Sequence, residues 1–423
     1  MVMNLTIDQQ RLFDELQTLA TFTEPPAEDA VKPGDTAVTR IVFSERDREA
    51  RAWLKQRATE AGLSIREDAV GNTFFRWEGS APELPAIATG SHIDAIPNAG
   101  MYDGTVGVLG GLEAIRALQA SGFTPKRSIE LILFTSEEPT RFGIGCLGSR
   151  LMSGTLTALA AESLRDKNEL SLDQARAEAG FTAPLASVLL KPGNYSRFVE
   201  LHIEQGPLLE RDGIPIGMVT HIAAPASSWI TIEGEGGHAG AMLMPIRRDA
   251  LAAAAEIILA VEDAALETAA IDTVATVGIC DVFPGNINSV PSRVRLSLDV
   301  RDTDLHRRDF VLSEIEAACV TTATRRKVTI TTKLLNADHP ATCDPIILDA
   351  IQQACDAEQI PSQPMVSRAY HDSSFMARLC PVAMIFIPCR NGVSHRPDEY
   401  AKPEDIATGA RILARTVATL SSS

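Results

Sequence analysis

Positive charge is in deficit in this chain: 39 lysines and arginines face 55 aspartates and glutamates, for a formal net charge of −16. That balance argues against a nucleic-acid partner and against an anionic membrane surface. No apolar run reaches the roughly 20 residues of a membrane span. The segment Met1 to Leu19 carries Asp8, Arg11, Asp14 and Glu15 at helical spacing, which reads as an amphipathic helix and not as a signal peptide. The seven cysteines are scattered, odd in number and without a CxxC pair, so no disulfide framework is expected and a reducing cytoplasm fits. Cys146 and Cys389 lie near motifs but read as small packing residues. Internal repeats and low-complexity tracts are absent as well.

What is present is ordinary for a soluble enzyme: 45% hydrophobic and 22% charged residues. At 423 residues the chain is too long for one compact core, and two domains are expected. The stretch Gly90 to Gly111 organises the first. A mostly apolar run, Leu84 to Ala88, predicts a buried strand, and His92 and Asp94 follow it. Asp103 lies in a loop beside Gly104, and Val106 to Leu118 has helical periodicity. An imidazole and a carboxylate thus converge at a strand-to-helix crossover, where open α/β sheets build sites. Asp94 is placed to hold the unused ring nitrogen of His92 and fix its tautomer.

Two further strands repeat the arrangement. Ser128 to Phe134 runs into Glu137 and Glu138, adjacent carboxylates that point in different directions at a strand end. Such a pair can also merely cap a helix or face solvent. Phe198 to Ile203 contains His202, with Gln205 in the loop after it. A fourth strand, Val382 to Ile387, leads to a glycine-containing loop with His395. Helices are expected over 5–20 and 44–63, with a loop holding Pro25, Pro26, Pro33 and Gly34 at a site mouth. Short strands are expected at 64–66 and 73–77, and outward-packing helices over 160–190.

Between about 223 and 334 the pattern changes to β-α-β-β-α-β. Strands are expected at 229–233, 273–282, 293–299 and 327–333, and helices at 246–266 and 305–323. The expected fold is therefore α/β. A catalytic domain, 1–222 and 335–423, has a mostly parallel mixed sheet flanked by helices, and an α+β domain, 223–334, is inserted into it. Helices over 344–358 and 403–420 complete the first domain.

His92, Asp103, Glu137, Glu138, His202 and His395 have the composition of a two-metal site. Asp103 would bridge. His92 and His202 would complete one ion's ligands, Glu138 and His395 the other's. Imidazole with carboxylate suits zinc, manganese, cobalt or nickel. Two ions roughly 3.5–4 Å apart can lower the pKa of a shared water and polarise a carbonyl. Glu137, left uncoordinated, would act as general base and then return the proton to a leaving nitrogen. His221, His306 and His339 read as structural or solvated.

The series GSHIDAIP, YDGTVGV, TSEEPTRFG, ELHIEQGP, GGHAG, INSVPSR, DVRD, YHDS and SHRPDEY resembles the dimeric di-metal amidohydrolases related to co-catalytic aminopeptidases. That family includes N-carbamoyl-L-amino-acid hydrolases, β-ureidopropionase, allantoate amidohydrolase and ureidoglycolate amidohydrolase. The resemblance covers nearly the whole chain. EEPTRFGIGCLGSR, IAAPAS, GHAGAMLMP and SRAYHDSSFMAR look most like the branch that cleaves (S)-ureidoglycolate.

The resemblance implies five metal ligands, His92, Asp103, Glu138, His202 and His395, holding two ions, manganese by preference. It implies that the inserted domain is a lid and homodimerisation domain. His238 would stabilise an oxyanion, in its own subunit or across the dimer. Asn288 and Arg301 would hold the substrate carboxylate, for which arginine supplies the fork. Gln205, Tyr370 and His371 would line the ureido side. Blander readings stand beside these: a plain glycine turn at 234–240, a surface ion pair for Arg301, core packing for Tyr370 and a helix-cap cluster for His371 and Asp372. Allantoate or an N-carbamoyl amino acid would serve the same donors as substrate. A metallo-exopeptidase and a metal-binding scaffold without turnover are the more distant alternatives.

Overall fold

Four parallel strands carry the architecture, and each has an apolar core because helices cover both faces of such a sheet, although Thr89, Glu130, Arg197 and Glu200 interrupt three of them. They are β1 (Ala86–Ser91), β2 (Ile129–Leu133), β3 (Tyr195–Ile203) and β4 (Val382–Ile387). In space they lie in the order β4-β3-β1-β2, with every neighbouring pair parallel. The chain thus steps from β1 to one side and later returns to its other side. That makes β1 and β3 the topological switch point, outside whose carboxyl ends a crevice opens. All of β1, β2 and β4 is buried. At about 1.5–3 kcal/mol for each fully buried large aliphatic or aromatic side chain, these strands anchor the unit.

The computed structural model describes residues 5–26 and 31–422. Residues 1–4, where the expected N-terminal helical pattern begins, and residues 27–30 of the expected proline-rich loop lie outside them. The helices Gln9–Ala20 and Glu45–Glu60 form as expected, the second capped by Ser44, whose hydroxyl accepts from the Asp47 N–H. Beyond the loop, the Thr36 N–H donates to the Pro397 carbonyl at 3.0 Å. Antiparallel strands extend the sheet at its margins, Ser64–Glu67 and Thr73–Trp77 beyond β2 and Ile216–Ile222 beyond β4; Ala341–Thr342 and Ser362–Ser367, beside the last, bring the described sheet to nine strands.

The chain divides into two compact units. One comprises residues 1–220, 342–365 and 371–423, the other 221–341 and 366–370. The boundary passes 334 because the strand Thr329–Ala337 stays paired with Ala224–Glu233 as far as Ala337↔Ala226, across a register shift between Leu334 and Asn336. The second unit has the expected order. Ala224–Glu233 is followed by the helix Ala250–Glu267, the strands Val274–Thr276, Cys280–Phe283 and Arg293–Asp302, the helix Leu305–Arg326 and the strand Thr329–Ala337. The single strand expected at 273–282 is two, both antiparallel to Arg293–Asp302, with Gly278 in the break.

Residues 160–190 differ from expectation. The helices Ala158–Glu162 and Leu172–Glu178 are short, and Ala161, Leu172, Ala175, Leu185 and Val188 join the buried cluster of Phe134 and Phe198. Their polar residues set the local tone of the sequence, while a few apolar ones pack inward. Strands that were not expected include Val38–Arg40 and its partner Ala95–Ala99, Ile216–Ile222, and Ser362–Ser367.

Candidate active site

β1 runs three residues, Thr89 to Ser91, further than its apolar core, so His92 follows directly on Ser91 at the carboxyl end. His202 is the penultimate residue of β3. Glu137 and Glu138 follow β2, and His395 follows β4. Asp103 precedes the helix Thr105–Ala120, and all these residues meet. Asp103 Oδ1 lies 3.4 Å from His92 Nε2 and 3.2 Å from His202 Nε2. Its Oδ2 lies 3.4 Å from His395 Nε2, which is 3.2 Å from Glu138 Oε1. Two ligand groups result, His92–Asp103–His202 and Asp103–Glu138–His395, sharing one carboxylate.

The imidazoles are oriented for this. His92 Nδ1 donates to the Asp94 carbonyl at 3.0 Å and His202 Nδ1 to the Ile203 carbonyl at 2.9 Å, which leaves both Nε2 atoms to face Asp103. Asp94 therefore fixes the His92 tautomer through its main chain. Its carboxylate is 3.7 Å from that nitrogen and instead accepts the N–H groups of Glu137 and Glu138, at 3.2 and 3.0 Å. The residue expected to hold one side of the site also ties β1's end to β2's.

Gly104 has φ +66°, and a Cβ there would fall 2.4 Å from His92 Nε2. Only glycine leaves that nitrogen clear. Ser136, Cys146, Gln205 and His395 also hold left-handed backbone, at φ 55–59°. Such conformations cost energy and gather where geometry matters more than stability.

Burial opposes ionisation of Asp103, but hydrogen bonds from His202, His395 and His92 outweigh it and hold its carboxyl well below the usual range. Hydrogen bonds to Asp103 and Glu138 raise the half-exposed His395 to about 11. Burial disfavours a proton on His92, yet Asp103, Glu137 and Asp94 raise it well above its ordinary value. Burial disfavours a proton on His202 as well, yet its hydrogen bond to Asp103 raises it above the ordinary value; the Gly104 N–H lies 3.1 Å from the same Nε2. Three ring nitrogens crowding one buried carboxylate, with a second carboxylate beside them, form a nitrogen and oxygen donor set. In it protons occupy positions where a divalent cation fits.

Glu137 stays outside both groups, with Oε2 3.8 Å from His92 Nε2. Burial raises its pKa well above normal, and Glu138, Asp372 and Asp94 add to that. The Cys146 thiol donates to Glu137 Oε1 at 3.2 Å. Gln205 Nε2 donates to Asp103 Oδ2 at 2.6 Å. The His371 ring meets that of His202 edge-on, centroids 4.7 Å apart. A third cluster, Glu200–His202–His371, has no free carboxylate. Glu200 accepts Ser91 Oγ at 2.8 Å and Ser373 Oγ at 2.6 Å.

The remaining candidates lie in the second unit. Gly237–His238 pairs antiparallel with Ser289–Val290, and the Ala239 N–H donates to the Asn288 carbonyl at 2.9 Å, so His238 and Asn288 share one ribbon. The Gly240 N–H donates to His238 Nδ1 at 3.1 Å, which leaves the proton on Nε2 as a donor. Arg301 pairs with Asp299 at 2.7 Å. The half-buried Tyr370 donates to Asp338 at 2.6 Å. Back in the first unit, Asp372 takes the N-cap position of Ser373–Met376 without a capping bond and accepts from Ser149 Oγ at 2.5 Å; burial raises its pKa to about 8.

Sequence reasoning missed Cys146, Ser394 and Glu399. Ser394 Oγ lies 2.6 Å from Asp103 Oδ2 and 2.7 Å from Glu399 Oε2. Both residues stand in the SHRPDEY motif, whose histidine drew all the attention.

The family model of peptidase family M20/M25/M40 matches residues 88–419. Ureidoglycolate hydrolase of Arabidopsis thaliana is 50% identical over 425 residues, covering 99% of this chain and 88% of that protein. The crystal structure of AtUAH in complex with (S)-hydroxyglycine has a TM-score of 0.91 and 49% identity, covering 99% of both chains. That of AtUAH in complex with glyoxylate has the same TM-score and coverage with 50% identity.

Proposed function

The chain belongs to peptidase family M20/M25/M40, and from that premise we propose that it hydrolyses the ureido group of (S)-ureidoglycolate. One water at the ureido carbonyl and a second step of spontaneous breakdown give glyoxylate, two ammonia and carbon dioxide. The observation that carries this reading is the likeness, along 99% of the chain, to a ureidoglycolate hydrolase at 50% identity. The ligands of the similar crystal structures support it. Hydroxyglycine is what remains of ureidoglycolate once the ureido carbon has left, and glyoxylate is hydroxyglycine less ammonia.

The ligands would be His92, Asp103 and His202 for one cation and Asp103, Glu138 and His395 for the other. When bound, two divalent ions polarise the ureido carbonyl and lower the pKa of a water. We take them as manganese from the family resemblance; zinc, cobalt and nickel suit the same donors. Glu137 removes the water's proton as oxygen bonds to the ureido carbon. It then delivers the proton to the nitrogen as the carbon–nitrogen bond breaks. Its raised pKa suits a group that must hold a proton between those steps. His238 Nε2–H donates to the developing oxyanion. Arg301, with Asn288, grips the substrate carboxylate. Gln205, Tyr370 and His371 hold the ureido and hydroxyl groups.

The second unit serves as lid and homodimerisation domain on this reading. Its exposed Leu243, Met244, Ile246, Phe283 and Ile287 support a protein contact there. Seven unpaired cysteines favour a reducing, cytoplasmic setting.

The test is ammonia release by the manganese-loaded protein from ureidoglycolate, allantoate and N-carbamoyl-alanine in parallel. Fast release from the first alone is expected. Preference for either other compound would overturn the substrate and keep the site. Silence with all three, metal bound, would favour the peptidase or scaffold alternatives.

A further inference from the structure

Asp103 has to serve both ligand groups, yet it sits in a loop, and so does His395. Something must hold the two loops in register. The search for it ends at Glu399, a carboxylate only 4% exposed that touches neither a candidate ligand atom nor solvent to any extent.

Glu399 Oε1 accepts the main-chain N–H of Tyr102 at 2.8 Å and that of Asp103 itself at 3.1 Å. Its Oε2 accepts from Ser394 Oγ at 2.7 Å, and the same hydroxyl lies 2.6 Å from Asp103 Oδ2. Ser394 immediately precedes His395, whose own backbone is left-handed at φ 59°. One side chain thus binds the backbone of the bridging aspartate and the residue next to the imidazole of the second group, through a Ser394 hydroxyl placed between Glu399 Oε2 and Asp103 Oδ2 whose single proton goes to one or the other. The packing is close: a Cβ on Gly100 would fall 2.3 Å from Glu399 Cβ and 2.4 Å from its Oε1. Gly100 is the residue that admits Glu399 to this position.

We propose that Glu399 is a positioning residue of the two-cation site, locking the Asp103 loop to the His395 loop through Tyr102, Asp103 and Ser394. This rests on the two-cation reading above. Outer partners of ligating groups set ligand orientation, and their loss typically costs about 10–100-fold in metal affinity. The cost should fall unevenly. His92 and His202 are fixed by their own carbonyl partners, whereas the His395 loop leans on the Ser394–Glu399 link, as does Asp103 Oδ2 beside its bond from Gln205 Nε2 at 2.6 Å. The Asp103–Glu138–His395 group should weaken more than the other.

The experiment is a Mn(II) titration of the metal-stripped full-length protein, following the free-ion EPR signal, for wild type, Glu399→Ala, Glu399→Gln and Ser394→Ala. Expected for Glu399→Ala is one ion bound near wild-type affinity and the second about 10–100-fold more weakly. Glu399→Gln, which keeps an oxygen for the two N–H groups, should lie between it and wild type. Ser394→Ala removes only the hydroxyl link and should weaken the second ion alone, so it answers the question even if Glu399→Ala does not fold. Two ions held with wild-type affinity by either alanine variant would overturn the proposal. No substrate enters the titration, so it stands apart from the choice of ureidoglycolate. A wild-type protein that binds no second ion would instead sink the two-cation reading on which the proposal rests.

Discussion

Cys146 meets Glu137 twice: its main-chain N–H donates to the Glu137 carbonyl at 2.7 Å and its thiol to Oε1 at 3.2 Å. The N–H groups of Leu147 and Gly148 go on to Ser136 and Thr135, each at 2.9 Å, so residues 146–148 brace the whole approach to the base. Burial raises the thiol's pKa well above normal, with Glu137 and Asp372 adding to it, so the sulfur keeps its proton and donates. Cys146→Ala should lower kcat about 5-fold, the worth of one hydrogen bond of about 1 kcal/mol. Cys146→Ser, a better donor of similar size, should restore it. Unchanged kcat in the alanine variant would show that the thiol only fills space.

Glu137 lies beside both ligand groups and within neither. Glu137→Gln should therefore lower kcat by about 10²–10⁴-fold, the usual share of a general base, while the protein keeps its metal. Metal content and single-turnover rate, taken on one preparation, separate the two effects. Loss of metal along with activity would make Glu137 a ligand instead.

How much of this was legible beforehand follows from where each residue's partners lie. The four central strands show as mostly apolar runs, and His92, Glu137, Glu138, His202 and His395 follow or end them, so their convergence could be read from order alone. Marginal strands were harder. Ala95–Ala99 contains Pro97, and Val38–Arg40 is three residues long, so neither carries a periodic pattern. Glu399 was out of reach for a different reason. It binds the N–H of a residue 297 positions earlier, and main-chain donors leave no trace in a sequence. Arg40 is similar: fully buried, it donates to the carbonyls of Ile93, Leu19 and Phe22, and a lone arginine near the N-terminus announces none of that.

Protons and cations compete for one set of atoms, which gives metal binding a pH dependence of known sign. In the metal-free protein His395 is raised to about 11 by Asp103 and Glu138, so at pH 7 it carries a proton that an incoming ion must displace. Metal affinity should rise with pH across the neutral range. Calorimetric titrations in two buffers of different ionisation enthalpy should show net proton release on binding. Stability runs the other way. A histidine raised from 6.5 to about 11 stabilises the metal-free fold fully below pH 6.5 and loses that contribution as pH climbs towards 11. Metal-free protein should therefore lose thermal stability with rising pH over that window more steeply than loaded protein. Equal slopes, with no protons released, would mean that the imidazole is already neutral.

Gly104→Ala separates backbone strain from obstruction of the site. At φ +66° a side chain costs about 1–2 kcal/mol of stability, an effect that denaturant unfolding of the metal-free protein reads directly. The added Cβ also lands 2.4 Å from His92 Nε2 and must push that ring off Asp103 Oδ1. The His92–Asp103–His202 group should then lose affinity well beyond what the stability change requires, while Asp103–Glu138–His395 keeps more of its own. That is the reverse of the order expected for Glu399→Ala. If both variants weaken the same ion, the division of Asp103 between two groups, one on each oxygen, is wrong.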